Sequence, residues 1–538
     1  MSDYDYVIVG AGSAGCVLAD RLSADGAEVL LIEAGGRSRS PKVTIPAAFP
    51  QQFQTKLDWD YASGPEPGCD GRSLFIPRGK GLGGSSSMNA MLYVRGHRDD
   101  YDGWRDEDGC AGWGWDDVLP YFMRSEHHEA GATPVHSLGG QLNVAPARSP
   151  RKLTDLMVGA ARNHGFPFDA DYNDGDPEGV CLSEVTQKKG ARWSAASAFL
   201  NAAKGRPNLT VATGTSAIGL ELEDGRARGV KLSGRAPQAV ARARREVILA
   251  AGAIGSPQLL MLSGIGDPGK LREVGIEPQV ELAGVGANLQ DHPYVVCIWE
   301  SAIGHSLLDA ESPRAALDFL LRGRGPLTSA VCEAFVFTRS DGTDGAPDLQ
   351  LHLAPAFFAD NGFEEHDAHA FTMGPVLVTP RARGELRLTS ADPTAKPAMV
   401  GNHLTDDADV AALLAGVKLV RELVATEPLA AATGREIYPG AEITDDEALE
   451  RDIRRRCELL YHPVGTCRMG DGDDAVVDPE LRVRGVEGLR VIDASVMPTI
   501  TRGNTNAPTI MIAEKGADLI LGREPLRAPA TAMAAASG

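Results

Sequence analysis

No stretch of the 538-residue chain runs for about 18 apolar residues, so no membrane-spanning helix is expected. Basic residues are outnumbered: 53 Lys and Arg against 73 Asp and Glu give a formal net charge of −20. Contact with nucleic acid or an anionic membrane surface needs a basic patch, and this balance disfavours both as partners. Cysteines are few and scattered. Cys16, Cys69, Cys110, Cys181, Cys297, Cys332, Cys457 and Cys467 never form a C-x-x-C, which argues against a zinc site and a thioredoxin-like pair. The opening MSDYDYVIVGAG has no basic n-region and no small-residue cleavage site, so a cytoplasmic protein with reduced thiols is expected.

What is present points to more than one lobe, because the chain is too long for one ordinary core. YDYVIVGAGSAGCVLADRLSADGAEVLLIEAGG predicts a strand over Tyr6–Val9, a helix over Ala14–Leu22 and a buried strand over Val29–Ile32, a βαβ unit. The same grammar recurs at Val247–Leu249 and at Leu489–Ile492, the latter leading into a helix through Ile520. An α/β, Rossmann-like domain assembled from separated segments is therefore expected. Between them, PDLQLHLAP, FTMGPVLV and GELRLTS alternate as an antiparallel sheet over Pro347–Thr389. Helices follow at Asp406–Ala425 and Asp445–Leu460, the second capped by Thr444 or Asp445. These form an α+β substrate lobe. The expected division is 1–145, 206–293 and 461–522 for the nucleotide domain, 146–205 and 294–460 for the substrate domain, and a flexible tail over 523–538.

Gly10, Gly12 and Gly15 form G-x-G-x-x-G between strand and helix. The first glycine makes the turn, the second admits a pyrophosphate close to the backbone, and the third lets helix and strand pack. Glu33 ends the next strand, where a carboxylate accepts from ribose hydroxyls. A second glycine-rich loop, RGKGLGGSSSMNAMLYVRG (Arg78–Gly96), offers Gly83, Ser85 and Asn89 to a flat or charged ligand. LPYFMRSEHHEAGATPVHSLGG is mixed and polar; it is read as a surface loop, with His127, His128 and His136 solvated and no metal site expected.

GKGLGGSSSMNAMLYVRG, GAIGSPQLLMLSGIG, GVGANLQDHP, YHPVGTCRMG and GLRVIDASVMPTITRGNTNAPTIMIAEKGAD resemble the landmarks of the glucose–methanol–choline (GMC) oxidoreductases, in the same order and over most of the chain. The choline dehydrogenase and bacterial FAD alcohol dehydrogenase branch is the most similar. The resemblance implies FAD, two lobes and oxidation of an alcohol by hydride transfer to flavin N5. It places Asp493 near the ribityl chain and Ala217 near the adenine, and brings Asn504 to the cofactor. Some choline-oxidising relatives tether the flavin through a histidine where this sequence has Met88, so FAD without a covalent bond is expected.

His462 suits this chemistry in its own right. An alcohol loses a proton from oxygen as its carbon loses hydride, and a neutral imidazole accepts such a proton at physiological pH. Asn506, at the start of the final helix, is the expected donor to the developing alkoxide. It is matched to the His–Asn pair of the family. Cys467 is expected to be a packed residue and Arg468 a turn anchor. Glu333, which would neutralise a quaternary ammonium, Phe335 and Phe357 are candidates for the substrate pocket. A primary alcohol is the expected substrate, with choline among the candidates; the acceptor is oxygen, a quinone or a protein carrier. A flavin-dependent lyase, a decarboxylase and an oxygen-using oxidase on the same fold are the alternatives.

Overall fold

The computed structural model describes residues 4–37, 40–235 and 238–527. Tyr4–Val9 and Val29–Glu33 pair in parallel, flanked by Leu209–Thr213 on one side and Val240–Leu249 on the other. Leu489–Val491 adds a further parallel strand beyond Leu249, although it lies some 240 residues later. Every residue of Val29–Glu33 is buried, as a strand covered on both faces requires. The N-terminal end of Val240–Leu249 leaves this sheet to pair with the hairpin Thr215–Glu223 and Arg226–Gly234.

The helix Ser13–Ala24 packs on the final helix, Asn506–Leu521. Arg21 clamps the buried Glu514 through two bonds of 2.8 and 2.6 Å, a bidentate geometry stronger than a single neutral bond. The two helix N-termini meet at the first glycine turn, where Ser13 Oγ donates to Asn506 Oδ1 at 2.7 Å.

The second sheet is wholly antiparallel, in the order Thr433–Tyr438, Cys297–Ser301, Ala370–Leu377, Leu349–Ala354, Ala334–Thr338, Gly179–Leu182. The expected strands around 349–377 lie at its centre. Residues of GELRLTS do not: Glu385–Arg387 pairs with Ala398–Val400 in a separate hairpin. The Asp409 carboxylate takes the N–H groups of Arg381 and Ala382, which turns the chain out of the sheet. The helix expected to Leu460 spans Asp446–Arg456, capped by Asp445. It ends early because Glu458 and Leu459 pair with Tyr294 and Pro293.

Two further expectations are corrected. The region read as a surface loop begins inside the helix Trp115–Ser125, where Leu119, Pro120, Tyr121, Phe122 and Ser125 are buried, and His128 and His136 are buried beyond it. His136 bridges Glu126 and Asp171 at 3.0 Å each, and Glu126 also holds Arg95 at 2.9 Å. Burial works against a charge on His136, but the bonds to Asp171 and Glu126 outweigh it and push its pKa up to about 9. Polar residues here are core because each has a partner of opposite charge. The start of the expected tail is also packed: Arg523 pairs with Asp25 at 2.7 Å and Leu526 N–H reaches Tyr121. Residues 528–538 lie outside the described residues.

Candidate active site

A cavity of about 630 Å³ runs from the first glycine turn to His462, between the two sheets. At its nucleotide end Gly10 has φ +99°, and a Cβ there would come within 2.5 Å of the Ala250 carbonyl oxygen. Gly12 is the N-cap of Ser13–Ala24 and brings no side-chain bond, so first-turn N–H groups remain for an anion. Glu33 accepts from Ala11 N–H at 3.0 Å and Gly35 N–H at 2.8 Å and still faces the cavity. Burial raises its pKa, against those backbone bonds.

The second glycine loop lies on the first. Gly83 N–H donates to Ala11 carbonyl at 2.7 Å, and a Cβ on Gly84 would lie 2.7 Å from Gly12 Cα. Gly84, Ser85, Met88 and Asn89 line the cavity, whereas Gly83 supports it from behind. The Ser85 hydroxyl accepts from Arg78 at 2.8 Å, and Asn89 Oδ1 accepts from Arg192 at 2.8 Å. Ala217 lines the cavity from the hairpin. Asp493 does so beside the turn at Gly252, its carboxylate bonded to Gly252 N–H and to the Ser256 and Ser495 hydroxyls.

At the other end, His462 Nε2 lies 3.1 Å from Asn504 Nδ2, and His462 Nδ1 lies 3.0 Å from His292 Nδ1. An amide nitrogen only donates, so Nε2 is the acceptor and Nδ1 carries the proton, an assignment made from the hydrogen-bond network. Nδ1–H then donates to His292 Nδ1. Burial is the main cause holding the His462 pKa well below the ordinary histidine value, and His292, His352 and Arg78 act in the same direction. Burial also takes His292 down to about 3. Both rings are neutral at physiological pH.

Asn504 thus takes the place expected for Asn506. Asn506 also lines the cavity, but its Oδ1 is bonded to Ser13 at the glycine turn and it makes no bond to His462. Asn504 Oδ1 is buried and unpartnered at the cavity wall.

GVGANLQDHP carries the scaffold of this pair, a role its sequence alone did not disclose. Asp291 Oδ1 accepts from the backbone N–H of both His462 (2.7 Å) and His292 (2.8 Å). Burial pushes the Asp291 pKa up to about 7, against those bonds. Asn288 and Gln290 donate to the Pro498 carbonyl at 2.9 and 3.0 Å and so hold the loop that presents Asn504. Tyr461 sits at φ +64°, fixed by Arg78 on its carbonyl (2.6 Å) and by its hydroxyl on Asn361 (2.6 Å).

The three expected pocket residues do not line the cavity. Glu333 is buried in bonds from Ser329 (2.7 Å), Thr154 (2.5 Å) and Arg151 N–H (2.7 Å). Phe335 packs in the core with Tyr172 and Phe337, and Phe357 stacks on His366. Phe49, Phe53, Met88, Val331, Phe358 and Tyr461 form the apolar wall instead. Phe49 and Phe53 come from a turn whose sequence carries no motif. Cys467 is buried, and Arg468 bridges Asp108 (3.1 Å) and Asp474 (2.7 Å), as a turn anchor does.

GMC oxidoreductase family models match residues 4–294 for the N-terminal part and 380–513 for the C-terminal part. The chain is similar to an alcohol dehydrogenase [acceptor] of Pseudomonas putida, with 41% identity over 96% of each chain. It is equally similar, at 41% identity over 98% of this chain and 96% of the other, to an oxygen-dependent choline dehydrogenase of Chromohalobacter salexigens. Among solved structures, pyridoxine 4-oxidase from Mesorbium loti superposes with a TM-score of 0.88 at 32% identity, covering 97% of this chain and 99% of that one. The uncapped helix end, the glycine cradle, Glu33 and the orphaned Asn504 oxygen fit the dinucleotide these proteins share. The chain belongs to the GMC oxidoreductase family, whose members are FAD-binding flavoproteins.

Proposed function

We propose that the protein oxidises an uncharged primary alcohol to the aldehyde, with His462 as the base. The observation that carries this is the neutral, buried His462 ring, fixed between Asn504 and His292 where the cofactor cavity meets an apolar wall. When bound, FAD supplies the acceptor for the hydride that leaves the alcohol carbon. The alcohol hydroxyl proton goes to His462 Nε2, the unprotonated ring nitrogen because the Nδ1–H is engaged by His292. An alcohol oxygen displacing the Nε2–Asn504 contact meets the base and the Nδ2–H donor together, since the two nitrogens are 3.1 Å apart. Asn504 then stabilises the negative charge that grows on that oxygen.

The wall supports an uncharged substrate over choline. Its carboxylates, Glu33 and Asp493, belong to the nucleotide end and are occupied by backbone and hydroxyl donors. A quaternary ammonium beside His462 would find rings but no counter-charge, with Arg78 close by. The test is anaerobic flavin bleaching with a panel of primary alcohols and choline, followed by oxygen. Bleaching by apolar alcohols and not by choline is expected; a flavin that no alcohol bleaches sinks the proposal.

The same wall supports FAD held without a covalent bond. Met88 is buried against Phe49 and Phe53, and its thioether has no nucleophilic ring nitrogen. His97, the next histidine along, is the N-cap of Arg98–Asp106 and bonds to Asp176 at 3.1 Å. Acid precipitation should put all the yellow colour in the supernatant. A washed pellet that stays yellow would show a tether.

A further inference from the structure

Between the strands Cys297–Ser301 and Ala334–Thr338 lies the helix Pro313–Arg322, whose leucines face water. Spacing of i, i+3 and i+4 puts Leu317, Leu320 and Leu321 on one face, and they are 57%, 78% and 73% exposed. Leu308, in the preceding turn, is 36% exposed, and Ala315 is the one buried residue of the helix. A surface helix ordinarily turns its apolar stripe to the core. Of the eight large hydrophobic side chains exposed among the described residues, four fall in this segment.

The rim is basic although the chain is acidic. Arg314, Arg322 and Arg324 are exposed around the leucines. Lys188 and Lys189 add two more exposed cations, on a turn whose backbone packs against Gly323. The acids nearby are Asp318, flanked by Arg314 (3.9 Å) and Arg322 (3.1 Å), Asp309, held by Arg151, and Glu311. A net charge of −20 opposes an anionic surface for the molecule as a whole. At this face five exposed cations outnumber those three acids, and screening beyond a Debye length of about 8–10 Å at physiological salt makes the local sign, not the distant net charge, the one a surface meets.

We propose that this leucine face and its cationic rim dock the protein on the surface of an anionic lipid bilayer. Apolar residues on one side with arginine and lysine at the edges are what an in-plane interfacial helix requires. The leucines expose on the order of 400 Å², about half of the roughly 800 Å² per partner that a stable dimer buries. Charge and area together favour a lipid surface over a second copy. The docking is independent of which alcohol is oxidised.

The test is flotation of the full-length holoenzyme with phosphatidylcholine vesicles, with and without phosphatidylglycerol. At low salt, roughly tenfold more protein should float with the anionic vesicles. The Leu317→Ser/Leu320→Ser/Leu321→Ser variant should stay at the bottom while keeping the parent's turnover of a water-soluble alcohol and its thermal unfolding. Should that variant unfold early, Arg314→Gln/Arg324→Gln decides, and it should lose most of the anionic preference. Equal flotation with both vesicle types, no flotation at all, or a serine variant that floats like the parent would overturn the proposal. So would sedimentation showing that the parent is a dimer which the serine variant breaks.

Discussion

Replacing His462 with alanine is expected to slow anaerobic flavin reduction by an alcohol by about 10²–10⁴, the span of a lost general base, while FAD stays bound. The ring is far from the phosphate cradle at Gly10–Gly15, so cofactor retention and catalysis separate. Removing it leaves His292 Nδ1 and Asn504 Nδ2 without their partner. Thermal unfolding and flavin content are therefore measured beside the rate. The pH profile of the parent gives an independent check. Burial, reinforced by His292, His352 and Arg78, lowers the His462 pKa, so the base form persists as pH falls. A base with a depressed pKa gives a rate that is flat from about pH 6.5, the ordinary histidine value, upward, and that falls only on the acid side. A profile rising through pH 7 or above, or an alanine variant reduced as fast as the parent, would remove His462 from the role.

The nucleotide half was legible because its signals are local. Glycine spacing, a β-branched strand and an acid at the next strand end all lie within residues 4–33, and the physics that needs them acts over the same distance. The long return to Leu489–Val491 was also legible, since its strand-to-helix grammar repeats the first. The alcohol end was less so, because its wall is non-local. Phe49, Phe53, Val331, Phe358 and Tyr461 meet only after both sheets form, and no periodicity marks them. Glu333 misled for the opposite reason: an acid beside an apolar run suggests a counter-charge for a cationic substrate, yet Ser329, Thr154 and the Arg151 N–H satisfy it within the core. His128 and His136 show the same effect in a polar stretch, where partners at Glu184, Glu126 and Asp171 make a core of what reads as surface.

The choice between Asn504 and Asn506 turned not on the helix boundary, which falls where the sequence places it, but on which way each side chain points, and spacing does not carry that. The helix starts at Asn506, so that side chain points along the helix end toward Ser13, while Asn504, still in the loop held by Asn288 and Gln290, reaches His462. Asn504→Ala is accordingly expected to cost about 10²–10³ in the rate of flavin reduction, the usual loss for one donor to a developing oxyanion. Substrate affinity should change far less, because the bond strengthens mainly as charge grows on oxygen. Asn506→Ala removes the 2.7 Å tie between the two helix N-termini at the phosphate cradle. Its expected signature is weaker FAD retention on dilution and a lower unfolding temperature, with the reduction rate of the flavin-loaded fraction within a few-fold of the parent. Rapid-mixing reduction of both variants, each normalised to bound FAD, separates the roles. A slow Asn506 variant beside a fast Asn504 variant would reverse the assignment and return the oxyanion donor to the helix.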